Sequence, residues 1–365
     1  MKLKYAWVVI FFIGAMLLFA SRIVALKIFG NNGKTSMPNG ALSLIVEPDE
    51  GIAPVLAMIS GAKSSLDIVM YELDDTQIES ALAADEARGV AVRVILSGGY
   101  KGAPPTVYTA AYDFLSAHGV PVRWSPAYFS LTHEKSLVVD GNRALIMTFN
   151  WVSKYYVTGR DFGIVDDDQR DVTAMERVFG DDWQGSNGAG SGRLGSGTSG
   201  NANDDYGGGN DDAAGDDLVW SPGSESTLID LIDSAKKSLA IYNEEMADMN
   251  ITKALIDAAR RGVGVYVVMT GSSQWKWQFA ELATAGAHVR VYADTNDAPL
   301  YIHAKMIVAD SGSASARAFV GSENFSNGSL DENRELGIVT GDQYIIAELM
   351  KVFAADWRGA TPFAP

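Results

Sequence analysis

The stretches "HEKSLVVD" (133–140) and "HAKMIVAD" (303–310) each place a lysine two residues after a histidine and an aspartate seven after it, in a chain of 365 residues with only four histidines. In an extended strand, residues two apart point to the same side. His133 therefore shares a face with Lys135, and His303 with Lys305. The apolar runs "SLVV" and "MIVA" form the body of the strand, and Asp140 or Asp310 stands at its end. An imidazole beside an ammonium is a poor structural pair, because each disfavours the other's charge. An anion held between them removes the conflict. A single His-x-Lys would read as an ordinary surface strand; two copies in equivalent places read as a site.

The equivalence extends well beyond the motifs. "AKSSLDIVMYE" (62–72) matches "AKKSLAIYNEE" (235–245), and "ARGVAVRVIL" (87–96) matches "RRGVGVYVVM" (260–269), both at an offset of 173. "RDFGIV" (160–165) and "RELGIV" (334–339), then "VFGDDW" (178–183) and "VFAADW" (352–357), follow at 174. The motif offset of 170 grows to 174 because the second copy carries four more residues between the aspartate and the asparagine that follows it. Such steady offsets indicate an internal duplication. In each copy, short β-branched runs alternate with segments of helical periodicity. The fold class is therefore α/β, with two duplicated α-β-α units whose sheets are expected to be mostly parallel and flanked by helices.

The units are expected over 42–183 and 218–360. The Gly- and Asp-rich segment 184–217 between them has almost nothing to bury and reads as an acidic linker; its "GGGNDD" is one isolated fragment, too little for a calcium-binding repeat. Residues 1–28 carry Lys2 and Lys4 ahead of an apolar run from Tyr5 to Ser21. That run reads as a membrane anchor or a signal segment, with 29–41 as a linker. The body is then expected outside the cytoplasm, anchored to the membrane or secreted if the segment is cleaved. Cysteine is absent, which excludes disulfides, thiol nucleophiles and Cys-based zinc sites. The net charge of -16 disfavours sequence-blind binding to nucleic acid. His118 and His288 fall at non-equivalent positions and are read as non-catalytic.

The doubled His-x-Lys-(x)4-Asp motif resembles that of the phospholipase D superfamily, over roughly residues 42–360 apart from the linker. The resemblance implies that the halves pack about a pseudo-two-fold axis, a monomer with an internal pseudo-dimer, and that both motifs meet in one site. It implies that one histidine is a nucleophile and the other a general acid, His133 being the expected nucleophile, with no cofactor and no metal. His133, Lys135, Asp140, His303, Lys305 and Asp310 are then the catalytic motif residues, although the two aspartates read better as local structure. The family's Gly-Ser-x-Asn pattern fits the second copy at Gly321, Ser322 and Asn324. The first copy departs from it, with Met147 and Thr148 ahead of Asn150. Thr148, Asn150, Ser322 and Asn324 are the expected phosphate-binding groups.

A carboxylate is expected behind each histidine. Asp161 lies 28 residues after His133, and Glu335 lies 32 after His303. Glu72 and Glu245 also align, as site-lining groups or surface carboxylates. The implied reaction is cleavage or transfer of a phosphodiester through a covalent phosphohistidine. A phospholipid is the expected substrate, met at a membrane surface to which Trp275, Trp277, Tyr100, Tyr108 and Tyr128 are candidate contacts, unless they simply pack helices. The alternatives are a membrane-tethered nuclease, a cardiolipin synthase-like phosphatidyltransferase and a non-catalytic scaffold.

Overall fold

The computed structural model describes residues 42–100, 108–186 and 217–364. The expected anchor at 1–28, the linker at 29–41 and nearly all of the acidic segment lie outside these residues. The first half runs β1 (Ser43–Glu47), α1 (Ala53–Gly61), β2 (Ser65–Met70), α2 (Thr76–Ala87), β3 (Ala91–Leu96), α3 (Thr109–Ala117), β4 (Val122–Trp124), β5 (Lys135–Val139), β6 (Arg143–Met147), β7 (Gly159–Asp166) and α4 (Gln169–Gly185). The second half repeats it as β8 (Leu218–Ser221), α5 (Glu225–Ser234), β9 (Ser238–Tyr242), α6 (Met249–Arg260), β10 (Gly264–Thr270), α7 (Lys276–Thr284), β11 (His288–Tyr292), β12 (Tyr301–Ile302), β13 (Lys305–Ala309), β14 (Arg317–Gly321), β15 (Glu335–Thr340) and α8 (Gln343–Gly359). A last strand, β16 (Thr361–Pro362), pairs with β11 and carries this half past the expected boundary at 360.

The duplication is visible in the helix starts. Asp75 and Asp248 cap α2 and α6 through the same two backbone amides, two and three residues on, and Asp168 and Asp342 cap α4 and α8. Such a cap stabilises a helix by about 1 kcal/mol, so part of the chain's acidity is structural.

Each half builds most of one sheet, and β12 of the second half adds to the first sheet beside β7. The strand orders are β1-β7-β6-β5-β2-β3-β4 and β16-β11-β10-β9-β13-β14-β15-β8. The expectation of mostly parallel sheets is corrected here. β2–β3–β4 and β9–β10–β11 run parallel, as does the short β12 beside β7; the other neighbours are antiparallel. The reason is connection length. Helices link β2, β3 and β4, and a helical crossover returns a strand in the same direction. Between β5 and β6 the chain has only a tight turn through Asp140 and Gly141, which forces reversal.

The strands are buried on both faces. In β5 and β6, Leu137 and Leu145 face an apolar cluster with α1 and α2, while Val138 and Ile146 face a second cluster shared with Met306, Val320 and Ile338 of the other half. That shared cluster docks the two sheets. Two buried ion pairs cross the same interface in reciprocal fashion. The Arg160 guanidinium grips Asp356 at 2.7 and 3.1 Å, and Arg334 grips Asp182 at 2.8 and 3.0 Å. Each arginine opens one of the repeated "R-x-x-G-I-V" stretches, and each aspartate sits in the "D-W" of the other half.

Candidate active site

The same interface brings the motifs together. The backbone N–H groups of His133 and Glu134 donate to the carbonyl of Arg334 (2.8 and 3.0 Å), and those of His303 and Ala304 donate to the carbonyl of Arg160 (3.2 and 2.8 Å). Each motif is therefore strapped to the other half one residue before that half's carboxylate. His133 and His303 line one cavity of about 310 Å³ together with Asn150, Asn324, Asp161 and Glu335.

The carboxylates are exchanged between the halves. His133 Nδ1 is 2.8 Å from Glu335 Oε2, and His303 Nδ1 is 2.9 Å from Asp161 Oδ1. Spacing along the chain associates Asp161 with His133 and Glu335 with His303; docking reverses this. Neither half supplies the carboxylate at the Nδ1 of its own histidine.

Glu335 also accepts from the hydroxyl of Ser329 at 2.5 Å and from Asn333 Nδ2 at 3.3 Å. Burial pushes its pKa up, but His133, Ser329 and Lys135 outweigh this and hold it below the usual carboxylate range. Burial lowers the His133 pKa to about 4; Glu335 opposes the shift and Lys135 adds to it. At neutral pH the ring is uncharged, Nδ1–H donates to Glu335, and the Nε2 lone pair is left for chemistry. Tyr71 stands edge-on to this ring, with centroids 4.6 Å apart.

His303 has a different neighbourhood. Besides Asp161 at Nδ1, the Oε2 of Glu244 lies 3.4 Å from Nε2. Carboxylates therefore lie beside both ring nitrogens.

The lysines differ as well. Lys135 is fully buried; its Nζ donates to the His133 carbonyl at 2.5 Å and lies 5.1 Å from the centre of the Tyr71 ring. Burial lowers its pKa to about 7, with Glu335 opposing and Lys305 contributing. Lys305 Nζ, equally buried, donates to Glu244 Oε2 at 3.1 Å.

Four expected site residues take other roles. Asp140 and Asp310 lie at the far ends of β5 and β13, away from the histidines. Each carboxylate collects three backbone N–H groups, from Lys63, Ser64 and Ser65 or from Lys236, Lys237 and Ser238. Both aspartates adopt φ 53°, a left-handed turn conformation that Asp tolerates. The seven-residue spacing therefore measures one strand, and the aspartate that ends it fastens the turn to the loop before β2 or β9. Thr148 and Ser322 are also withdrawn from the expected phosphate-binding set. Both are fully buried. Thr148 donates to Asp161 Oδ1 at 2.5 Å and accepts from the N–H of Phe162, and Ser322 accepts from the N–H of Leu336 at 3.1 Å. They fix the strands that carry the two carboxylates.

Glu244 is the cavity residue beside His303 and Lys305 that motif reading passes over. Its signal was a mismatch: at the offset of 173, Glu244 falls opposite Tyr71. Glu72 and Glu245 line the cavity, whereas the two remaining histidines lie apart from it. His118 bonds the Phe114 carbonyl, and His288 stacks on Tyr266. Trp275 packs on the core of the second half, whereas Tyr100, Tyr128 and Trp277 are exposed.

Comparison with known proteins agrees with this architecture. Phosphatidylserine synthase from Haemophilus influenzae superposes with a TM-score of 0.65 over 88% of this chain and 87% of its own, at 12% identity. Polyphosphate kinase from Porphyromonas gingivalis gives 0.62 over 87% of this chain and 47% of its own, at 14% identity. At these identities the likeness concerns the fold alone. Among curated proteins, the chain is 27% identical over 136 residues to mitochondrial cardiolipin hydrolase of Xenopus laevis and 30% identical over 135 residues to phospholipase D of Rickettsia bellii. Each match covers 37% of this chain and spans 62% of the relative's length. The model of the family described as "Cardiolipin synthase, PLD-like domain" matches twice, at residues 55–183 and 228–357. The two segments make up well over half of the chain, which belongs to this phospholipase D-like family.

Proposed function

We propose that this family member cleaves a phospholipid phosphodiester through a covalent phosphohistidine, with His133 as nucleophile and His303 as general acid. The observation that carries the reading is the shared cavity, in which two histidines meet and each is oriented at Nδ1 by a carboxylate of the other half. Such a partner fixes the tautomer and raises the basicity of the opposite nitrogen.

The division of labour follows from the neighbourhoods. The uncharged His133 directs its Nε2 lone pair at phosphorus, forming the N–P bond as the bond to the leaving alcohol breaks. The Nε2 proton of His303 passes to the departing alkoxide. Water then attacks phosphorus and gives its proton to His303 Nε2. The N–P bond breaks, its electron pair returns to His133, and a phosphomonoester is released. An alcohol in place of water would give phosphatidyl transfer instead. Lys135 gains charge as the phosphate arrives, because an adjacent anion favours the ammonium. Asn150 and Asn324 line the cavity as further donors.

A lipid is favoured over nucleic acid on charge. Glu72, Glu244 and Glu245 line the same cavity, and these carboxylates disfavour the flanking phosphates of a polynucleotide. The curated relatives named a cardiolipin hydrolase and a phospholipase D point the same way. The apolar run at 5–21 would hold the body at a membrane and raise its local concentration of lipid. The test is headgroup release from phospholipid vesicles, run beside cleavage of a single-stranded oligonucleotide, with acid quenching to trap labelled phosphohistidine. Release of headgroup with label on His133 supports the reading. Turnover of the oligonucleotide alone transfers it to the nuclease, and turnover of neither to a non-catalytic scaffold.

A further inference from the structure

Three donors converge on one carboxylate oxygen beside His303. Glu244 Oε2 lies 3.1 Å from Lys305 Nζ, 3.4 Å from Asn324 Nδ2 and 3.4 Å from His303 Nε2. The other oxygen is steered by the Tyr301 hydroxyl at 2.6 Å. An ammonium, a side-chain amide and an imidazole around a single oxygen is the donor set that a phosphoryl oxygen needs. In the first half, the equivalent lysine has a backbone carbonyl and the Tyr71 ring against its Nζ among the described residues. The Glu244 side chain lines the cavity and keeps about a quarter of its surface exposed. Burial works against its charge, but Lys305, His303 and Tyr301 more than offset this and keep it ionised.

We infer that Glu244 is a specificity residue: an internal anion that fills the phosphoryl subsite of the second half and makes an incoming phosphate compete with a carboxylate, admitting singly charged phosphodiesters and excluding doubly charged phosphomonoesters. The inference rests on the proposed phosphodiesterase reading and adds to it a preference by charge. A diester carries one negative charge and replaces Glu244 one for one. A monoester carries up to two above a second pKa near ~6, so it meets the carboxylate as an added repulsion. Because cleavage of a phosphodiester by water converts the first kind of ligand into the second, the return of Glu244 to Lys305 expels the product.

The experiment measures binding of inorganic phosphate by calorimetry, without substrate, to the wild-type chain and to Glu244→Gln, Tyr301→Phe and Glu72→Gln. Glu244→Gln should bind phosphate at least about tenfold more tightly at about pH 8, where the ligand is a dianion, and gain less at about pH 5.5, where it is a monoanion. Tyr301→Phe, which frees the carboxylate from its tether, should gain part of this. Glu72→Gln removes a charge from the cavity wall without touching Lys305 and should gain little. Equal gains for Glu72→Gln and Glu244→Gln would reduce the effect to bulk charge and overturn the assignment, as would unchanged affinity in a folded Glu244→Gln protein. If wild type turns over no phosphodiester, the proposed reaction fails, while the phosphate-binding comparison still decides the role of Glu244.

Discussion

Tyr71 and Glu244 hold equivalent places just after β2 and β9, one an aromatic ring and the other a carboxylate, and around them two otherwise matched half-sites diverge. The ring packs against His133; the carboxylate approaches His303 and Lys305. A second exchange lies beneath the site, where Phe149 of the first half is replaced by Glu323, fully buried and with neither oxygen hydrogen-bonded among the described residues. Burial pushes the Glu323 pKa well up. It also accounts for Gly321: a Cβ there would lie 2.3 Å from Glu323 Oε2 and 2.5 Å from Gly337 Cα. With Phe149 instead, the first half accommodates Met147. The lesson is that duplication supplies the frame and a few unequal side chains assign the chemistry. The most direct way to break this comparison is to remove each histidine in turn. His133→Ala should lower turnover on the order of 10⁵-fold and abolish labelled phosphohistidine. His303→Ala should cost about 10²–10⁴-fold with an alkyl leaving group, and most of that loss should vanish with a nitrophenol leaving group that needs no proton. Acid-quench labelling with both substrates checks this; rescue of His133→Ala instead would reverse the roles.

The exchanged carboxylates give a smaller effect. Glu335→Gln should reduce the rate of phosphohistidine formation, and Asp161→Asn the protonation of the leaving group, each by about 10–100-fold. Only Asp161→Asn should be relieved by the nitrophenol ester, in single-turnover rates. If the pairing followed chain spacing, the relief would appear in Glu335→Gln. The pH profile sharpens the same contrast. Because His133 must be uncharged and its pKa is lowered to about 4, the acid limb of kcat/KM should lie near that value. A limb at the ordinary imidazole position would contradict it. The shift also bears on stability. The unfolded chain takes up a proton near pH ~6.5 that the folded chain refuses until about 4, so stability from this group is lost as the pH falls through that window.

How far this was legible in the sequence depended on the range of the interaction. Strand and helix order, the duplication and the facing of His with Lys follow from local periodicity and from repeats. The Arg160–Asp356 and Arg334–Asp182 clamps were in view as repeated letters, but nothing along the chain tells that the partner of each arginine lies in the other copy. The same holds for Asp161 and Glu335, whose spacing suggests the histidine of their own half. Tertiary docking decided both, and a one-dimensional offset carries no information about it. The hydroxyls of Thr148 and Ser322 were placed on the phosphate because their chemistry allows it; the register of β6 with β7 and of β14 with β15 turns them inward. Glu244 stands at a position where the two copies differ, so the repeat itself does not mark it.

The smallest predicted effect is where the halves should agree. Asp140 and Asp310 make the same three amide contacts and sit in the same left-handed turn conformation. Burial opposes their ionisation, but the backbone N–H groups prevail, lowering Asp140 to about 2 and Asp310 in the same direction. A lowered carboxylate pKa contributes stability that is present above the unfolded value of ~3.9 and is lost as pH falls through the folded one. Asp140→Asn and Asp310→Asn should therefore each destabilise the fold by about 1–2 kcal/mol at neutral pH, read as a lowered denaturation midpoint that converges on wild type near about pH 2. Turnover by the folded fraction should be unchanged in both, since each turn lies a full strand away from its histidine. A catalytic role for the third motif residue would show instead as a fall in kcat without a shift in the midpoint. Unequal losses in the two variants would mean that the divergence of the half-sites reaches down to the frame that holds them.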